Sequence, residues 1–293
     1  NEGDLYTGYR ITGTGTGTGT GTEHYNFEAE QSSLSPYLHT EWRLAERWRL
    51  HMGARYDYFR VDYEDKLSAQ AVDSRHLRPE SQQLTFDELS PKAGLTFAYR
   101  EHHNAYLNYR HAFRAPTVGS LFRPGSSINS EQLQPVSSDS IELGLRGQWL
   151  SDTAHALRYE LALYDMTTRD DIVSFVSDGD RISTNAGKTR HRGLEASLAG
   201  KVTPSLSYNL AWTVTQQTYE NFSYVYGQFI PGQGYVTETR NYSGFDVGKA
   251  PKNLGNLSLT YQPSQWPGLR IETEVEQVGR YFTDETNTSQ YAG

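Results

Sequence analysis

The sequence has no cysteine among its 293 residues, which excludes disulfide frameworks, thiolate metal sites and thiol chemistry. It also lacks any run of about 20 apolar residues, so no helix is expected to cross a membrane. Basic residues are outnumbered, 27 Lys and Arg against 35 Asp and Glu, for a net charge of −8. A nucleic-acid-binding surface is normally basic, so no nucleic-acid partner is expected. No signal peptide is visible, and the chain opens on Asn1-Glu2-Gly3 instead of Met; a mature protein or a piece of a longer one is expected, and the second is favoured below.

Apolar residues are also scarce, at 36%, with a mean hydropathy of −0.70, yet aromatics reach 13%, with 21 Tyr, 11 Phe and 5 Trp. A disordered chain would be poor in aromatics. A transmembrane β-barrel reconciles the two, because only every second residue meets lipid and the lumen side is polar.

The period of two is visible along the chain. Trp48, Leu50, Met52, Ala54, Tyr56 and Tyr58 alternate with Arg49, His51, Gly53, Arg55 and Asp57. Ile141, Leu143, Leu145, Gly147 and Trp149 alternate with Glu142, Gly144, Arg146 and Gln148, and Leu206 to Val214 and Leu269 to Val275 repeat the pattern. Leu50, Met52, Ala54, Tyr56, Leu143, Leu145, Leu194 and Leu198 are therefore expected to face lipid, and His51, Arg55, Glu142, Arg146 and Glu195 the lumen. A soluble β-sandwich also alternates, but its strands are usually about 5–6 residues, shorter than several of these stretches.

Connections alternate in length. Short turns are expected near 45–46, 101–103, 151–153, 201–204 and 262–268, and long polar stretches near 64–86, 114–137 and 218–247, as in barrels with short periplasmic turns and long extracellular loops. The count is roughly eleven strands and the start of a twelfth, about half of a barrel of about 22 strands. The fold expected is all-β: an antiparallel transmembrane barrel, partial, occupying 1–293 as one domain. Residues 13–22 repeat Gly-Thr, a low-complexity linker expected in an extracellular loop.

Asn108-Tyr109-Arg110-His111-Ala112-Phe113-Arg114-Ala115-Pro116-Thr117 resembles the strand of TonB-dependent outer-membrane receptors that ends in a Phe-Arg-Ala-Pro box, and Asp139-Ser140-Ile141-Glu142-Leu143-Gly144 resembles the strand after it. Asn185-Ala186-Gly187 with Gly193-Leu194-Glu195 is similar to the family's Asn-x-Gly…Gly-Leu-Glu strand; Ala250-Pro251-Lys252-Asn253 and Gly279-Arg280-Tyr281-Phe282-Thr283-Asp284 are similar to its late strands. These matches run in family order from about residue 34 to 293. The resemblance implies a bacterial outer-membrane importer of ferric-siderophore-type chelates, energised by the TonB complex through an N-terminal plug. Plug and TonB box are absent from this sequence, and the last residues, Ala292-Gly293, lack the terminal aromatic strand; hence the expectation of a partial barrel. Outer-membrane lipid and lipopolysaccharide are the implied surroundings. No cofactor or enzymatic role is expected. A passive porin, a soluble β protein and, more remotely, an outer-membrane barrel hydrolase stay open, as do cobalamin, haem, a copper chelate or a saccharide as ligand. Against haem, no His lies between Phe113 and Leu133.

An anionic chelate calls for guanidinium forks set against aromatic surface. The candidate ligand-binding residues are Arg114, Phe122 and Arg123 after the box, and Tyr224, Tyr226 and Tyr235 in the 218–247 stretch. Each has a plainer reading. Phe113 and Arg114 also suit bracing of the loop against the wall, and Tyr219 and Tyr242 suit an interfacial girdle. The basic run Lys188, Arg190, His191 and Arg192 suits either an anion path down the lumen or pairing with carboxylates such as Glu195 or Glu142.

Overall fold

The computed structural model describes residues 6–16, 23–67, 78–122, 132–149, 156–177, 180–232 and 234–293. Its strands are β1 (Tyr6–Thr16), β2 (Glu23–Leu34), β3 (Tyr37–Ala45), β4 (Trp48–Asp65), β5 (Gln82–Arg100), β6 (His103–Arg114), β7 (Val136–Trp149), β8 (Leu157–Ser177), β9 (Asp180–Thr203), β10 (Leu206–Asn221), β11 (Ser223–Ile230), β12 (Gly234–Asn241), β13 (Asn253–Tyr261), β14 (Ile271–Val278), β15 (Tyr281–Phe282) and β16 (Gln290–Tyr291). Among the described residues the one helix is α1, Val118–Leu121, and no helix is long and apolar enough to cross a membrane.

Twelve strands form one antiparallel sheet in the order β1-β2-β4-β5-β6-β7-β8-β9-β10-β13-β14, with β3 beside β4. β2 pairs with Tyr58–Asp65 of β4 and β3 with Trp48–Arg55. They are successive parts of one crossing, interrupted at Ser35-Pro36, where the carbonyl of Pro36 still accepts from Tyr56 N at 3.0 Å. Proline has no N–H to give the ladder. Taking β2 and β3 together, the described strands cross the sheet eleven times, where the connections led to an expectation of roughly eleven and the start of a twelfth. The Gly-Thr repeat contributes more to the sheet than expected: Gly13–Thr16 extend β1 against Glu23–Phe27, and residues 17–22 lie outside the described ones.

Register shows the alternation most clearly. One row of directly opposed residues runs Trp42, Leu50, Leu95, Leu107, Leu143, Leu163, Leu194, Val214 across β3 to β10. The row one residue further along runs Glu41, His51, Gly94, Asn108, Glu142, Tyr164, Gly193, Thr215. Side chains of successive residues point to opposite faces, so one face is aliphatic and the other polar. Leu143 is 54% exposed and Leu163 55%. Leaving such leucines in water would forfeit roughly 1.5–3 kcal/mol each, whereas lipid accepts them. We call this the lipid face and the other the lumen face. The expected facing of Leu143, Leu145, Leu194, Glu142, Arg146 and Glu195 follows from the same register.

Both ends of the apolar band on this face carry aromatics, the girdle of an outer-membrane wall. At one end Trp48 stacks on Phe97 at 4.5 Å, and His103, 3% exposed, lies among Tyr99, Trp149 and Tyr159. His103 Nδ1 and the Tyr159 hydroxyl are 2.9 Å apart. The ring needs a glycine opposite it: a Cβ at Gly147 would lie 2.3 Å from His103 Nδ1. At the other end stand Tyr56, Tyr58 and Tyr109. Along β7 the band runs from Trp149 to Ile141, within the about 9–11 residues a tilted strand needs to cross.

The short connections, at 46–47, 101–102, 204–205 and 262–270, fall at the Trp48 and Trp149 end, and the connections 66–81, 115–135 and 222–252 at the other. The 201–204 turn is tighter than expected, because β9 keeps Lys201 and Thr203. β8 and β9 remain paired as far as Ser177 and Asp180, a long hairpin that connection lengths did not reveal.

Candidate functional site

The long-connection end is where the candidate residues gather. β6 stops at Arg114, and Pro116 two residues on cannot continue the ladder. Thr117 then caps α1, its Oγ1 accepting from Ser120 N at 3.2 Å. Val118, Leu121 and Phe122 are buried with Ala29, Val61, Tyr63 and Leu133, against Phe27, Leu84, Phe86 and Ile172. Val61 and Tyr63 share the lumen face with His51, so the segment after the box is folded inward onto the wall. Phe122 is the pin, 2% exposed and stacked on Tyr63 with ring centroids 4.4 Å apart. It offers no ligand surface here, which corrects its place among the contact candidates; an aromatic next to an arginine reads equally as anchor or as contact.

Arg114 is different: its side chain is 62% exposed, and its Nη2 donates to Asp171 Oδ1 at 3.3 Å. Phe113 braces the wall, its ring 5.9 Å from that of Phe59. Arg123 lies outside the described residues. Tyr224 and Tyr226 are in β11 and Tyr235 in β12, opposed as Tyr224↔Arg240, Tyr226↔Glu238 and Phe229↔Tyr235, and their side chains lie outside what is described.

Asn185, for which the sequence suggested no role, fastens the far end of the same loop. Its Nδ2 donates to the carbonyls of Gln134 and Asp170, and its Oδ1 accepts from Gln134 N at 2.8 Å. Only the Asn-x-Gly pattern marked it.

The aromatics at the base of 222–252 behave otherwise than expected. Tyr219, Phe222 and Tyr242 are buried together with Val247 against them, and Tyr219 is on the Thr215 side of β10, the lumen face. They form a small core under the β11–β12 hairpin and not a girdle at the lipid boundary. A neighbouring turn docks on it: Asn287, at φ 56°, donates from Nδ2 to the Asp246 carbonyl and accepts at Oδ1 from Asp246 N. Asp284 organises that turn by accepting from Thr286 Oγ1 and from the N–H groups of Thr286, Thr288 and Ser289. The Thr286 hydroxyl foremost, then the backbone donors, holds its carboxyl well below the usual aspartate range. Because the folded value is depressed, the fastening is complete above the ordinary value of 3.8 and is lost as pH falls through the lower folded value. Asp284→Asn puts an amide N–H₂ among donors, so residues 283–289 should become protease-sensitive at neutral pH. The wild-type turn should stay resistant down to about pH 4.

The basic run does not line the lumen as a unit. Lys188, Arg190 and Arg192 fall on the Leu194 side of β9, the lipid face. Arg190 holds Asp165 through Nε and Nη2, and Lys188 pairs with Glu220; neither Glu195 nor Glu142 takes part. His191 alone points to the lumen side, with Nδ1 2.7 Å from Gln217 Oε1. Further down the lumen wall, Glu142, Glu160 and Glu195 line a cavity of about 230 Å³ with Tyr106, whose ring lies under the Arg146 guanidinium at 5.4 Å. Among the described residues no group of three or more His, Asp or Glu is placed to hold a metal ion.

A lipid-facing aliphatic band between two girdles, a polar inner wall and a folded-in loop at the long-connection end define an outer-membrane barrel wall. The family model described as TonB dependent receptor-like, beta-barrel, matches residues 1–293, and the chain belongs to that family. It is 30% identical over 164 residues to the probable TonB-dependent receptor BfrD of Bordetella pertussis, covering 54% of this chain and 20% of that protein. It is 26% identical over 178 residues to the ferric-pyoverdine M114 receptor PbuA of Pseudomonas sp. strain M114, covering 59% and 20%. The chain thus spans a fifth of the length of these curated relatives. The solved siderophore receptor PiuA of Acinetobacter baumannii superposes with a TM-score of 0.66 at 19% identity, over 90% of this chain and 35% of that one, which shows the fold. The family consists of outer-membrane transport receptors, not enzymes.

Proposed function

We propose that this protein imports a ferric siderophore across the outer membrane with energy delivered by TonB, residues 1–293 forming one stretch of its barrel wall. The observation that carries the reading is Arg114, largely exposed at the end of β6, beside a loop pinned inward by Phe122 and Asn185. Arg123 follows the pin directly in sequence, and Tyr224, Tyr226 and Tyr235 belong to the neighbouring outer hairpin. Below them the inner wall is of mixed charge, Glu142, Glu160 and Glu195 standing near Arg146 with Lys92 and Arg110 on the same face, so the compensation of an anionic chelate is assigned to the arginines of the mouth by their place beside the inward-folded loop.

The test is chelate uptake by the full-length protein in cells with no other receptor for it, with and without TonB. Uptake should vanish without TonB; uptake that persists at the same rate would make the protein a passive porin. A charge-assisted hydrogen bond contributes roughly 1.5–3 kcal/mol, so Arg123→Ala should lower uptake about tenfold or more. Lys201→Ala, at the short-connection end, should change it little. Equal uptake by both at equal surface expression would remove Arg123 from the site, and a stronger loss from Lys201→Ala would mean that the ligand enters from the other end.

A further inference from the structure

One seam of the wall is left unzipped. β5 pairs with β6 from Arg100↔His103 to Lys92↔Arg110 and no further, although β5 continues to Gln82 and β6 to Arg114. Pro91, the next residue of β5, has no N–H to give the ladder. The ladder therefore ends on two cations set directly opposite each other, and like charges so placed destabilise a strand pair. Lys92 shares the face of Gly94, and Arg110 that of Asn108, so both belong to the lumen side.

Neither cation has an ion-pair partner among the described residues, and the carboxylates nearby are taken. Asp57 accepts from Arg55 Nε at 2.8 Å, Glu88 faces His111 at 3.7 Å, and Asp139 is held by Arg169 and His111. Glu142, opposite Asn108 on β7, accepts from the Asn108 amide. Lys92 and Arg110 are exposed and line a cavity of about 600 Å³ with Tyr37, His39, Arg55 and Ser90. The Lys92 stem crosses Gly53 beside His39, where a Cβ would lie 2.8 Å from Lys92 Cε and 3.3 Å from His39 Nδ1. Ser90 Oγ is buried in the same wall with no hydrogen-bond partner. A cavity of this size with two uncompensated cations suits a small anion.

We propose that Lys92 and Arg110 form a binding site for a small, doubly charged oxyanion, a dicarboxylate or a phosphate, on the lumen side of the β5–β6 seam. The Arg110 fork takes two oxygens of one anionic group, and the Lys92 ammonium meets a further oxygen as a point charge. The bound anion turns a repulsive pair into a bridge and ties β5 to β6 where the ladder stops. Arg114 lies four residues further along β6, so the tie sits at the foot of the segment that Phe122 pins.

The experiment uses the full-length protein in detergent, with malonate, inorganic phosphate and acetate titrated separately at constant ionic strength. Binding is read by calorimetry and by backbone hydrogen exchange at 86–92 and 108–114, with no chelate and no TonB, so the result is separate from the transport reading. Malonate or phosphate should bind and slow exchange in both segments, the tighter of the two deciding which group the site takes, and singly charged acetate should do neither. Lys92→Met and Arg110→Gln should each weaken binding about tenfold, the scale of a charge-assisted hydrogen bond. Arg146→Gln, on the same face but over the Tyr106 ring, should match wild type. Without anion, Lys92→Met should unfold no more easily than wild type, because it removes the opposed charge, and added dianion should raise the unfolding midpoint of wild type alone. Failure of both dianions to bind, equal binding by wild type and Lys92→Met, or acetate binding as tightly as malonate overturns the proposal. Should Arg110→Gln fail to fold, Lys92→Met and the acetate comparison decide alone.

Discussion

Replacing Phe122 with Ala is expected to release the segment after Arg114 from the lumen wall at a cost of about 3–5 kcal/mol, the range for truncating a buried Phe. The ring is 2% exposed, stacks on Tyr63 and closes a cluster that includes Val118, Leu121 and Leu133. Those contacts are what fix the end of a loop whose other fastening is Asn185 on Gln134. Limited proteolysis between residues 114 and 135 should accelerate strongly in Phe122→Ala and only slightly in Phe122→Leu, which keeps most of the apolar volume. On the proposed function, chelate uptake should drop as well, because Arg114 stands at the start of the released segment and Arg123 follows Phe122 in sequence. Unchanged proteolysis in Phe122→Ala would mean that the loop is held by something other than this cluster.

The second large effect belongs to the wall. Leu145 opposes Leu161 and Ala105 on the lipid face, in the middle of the apolar band of β7 between Ile141 and Trp149. Leu145→Arg should destabilise the folded barrel by about 2–4 kcal/mol, the cost of an arginine on the lipid face near the bilayer midplane. Arg146→Gln, one residue on, loses a cation over the Tyr106 ring, worth about 0.5–1 kcal/mol where solvent is near. Folding titrations into lipid vesicles separate the two. A costly Arg146→Gln with a tolerated Leu145→Arg would exchange lipid and lumen.

The wall was legible in the sequence because a strand repeats every second residue, and the Trp48–Tyr58 and Ile141–Trp149 stretches keep that phase without a break. Connection lengths were legible for the same reason: the places where the phase fails are the turns. The inner structure was not. Phe122, Tyr219, Phe222 and Tyr242 are aromatic in loop sequence, and an aromatic carries both a large apolar area and a contact surface, so composition cannot separate an anchor from a ligand contact; burial does. The basic run on β9 was readable in part, since Leu194 already fixes the phase that sends Lys188, Arg190 and Arg192 to its own side. What hid their pairing was the absence of any local signal for Asp165 and Glu220, which arrive from β8 and β10. Asn185 shows the same limit, because its partner Gln134 is separated from it by the whole of β7 and β8.

Which face of the sheet meets lipid is directly measurable, because the sequence has no native cysteine. Single cysteines placed in turn at residues 140–149 of the full-length protein, spin-labelled and reconstituted in lipid, report collision with oxygen dissolved in the bilayer and with a water-soluble nickel chelate. Oxygen accessibility should peak at 141, 143, 145 and 149 and nickel accessibility at 142 and 146, out of phase with period two. Peaks in the opposite phase, or a period near 3.6 residues, would contradict the account.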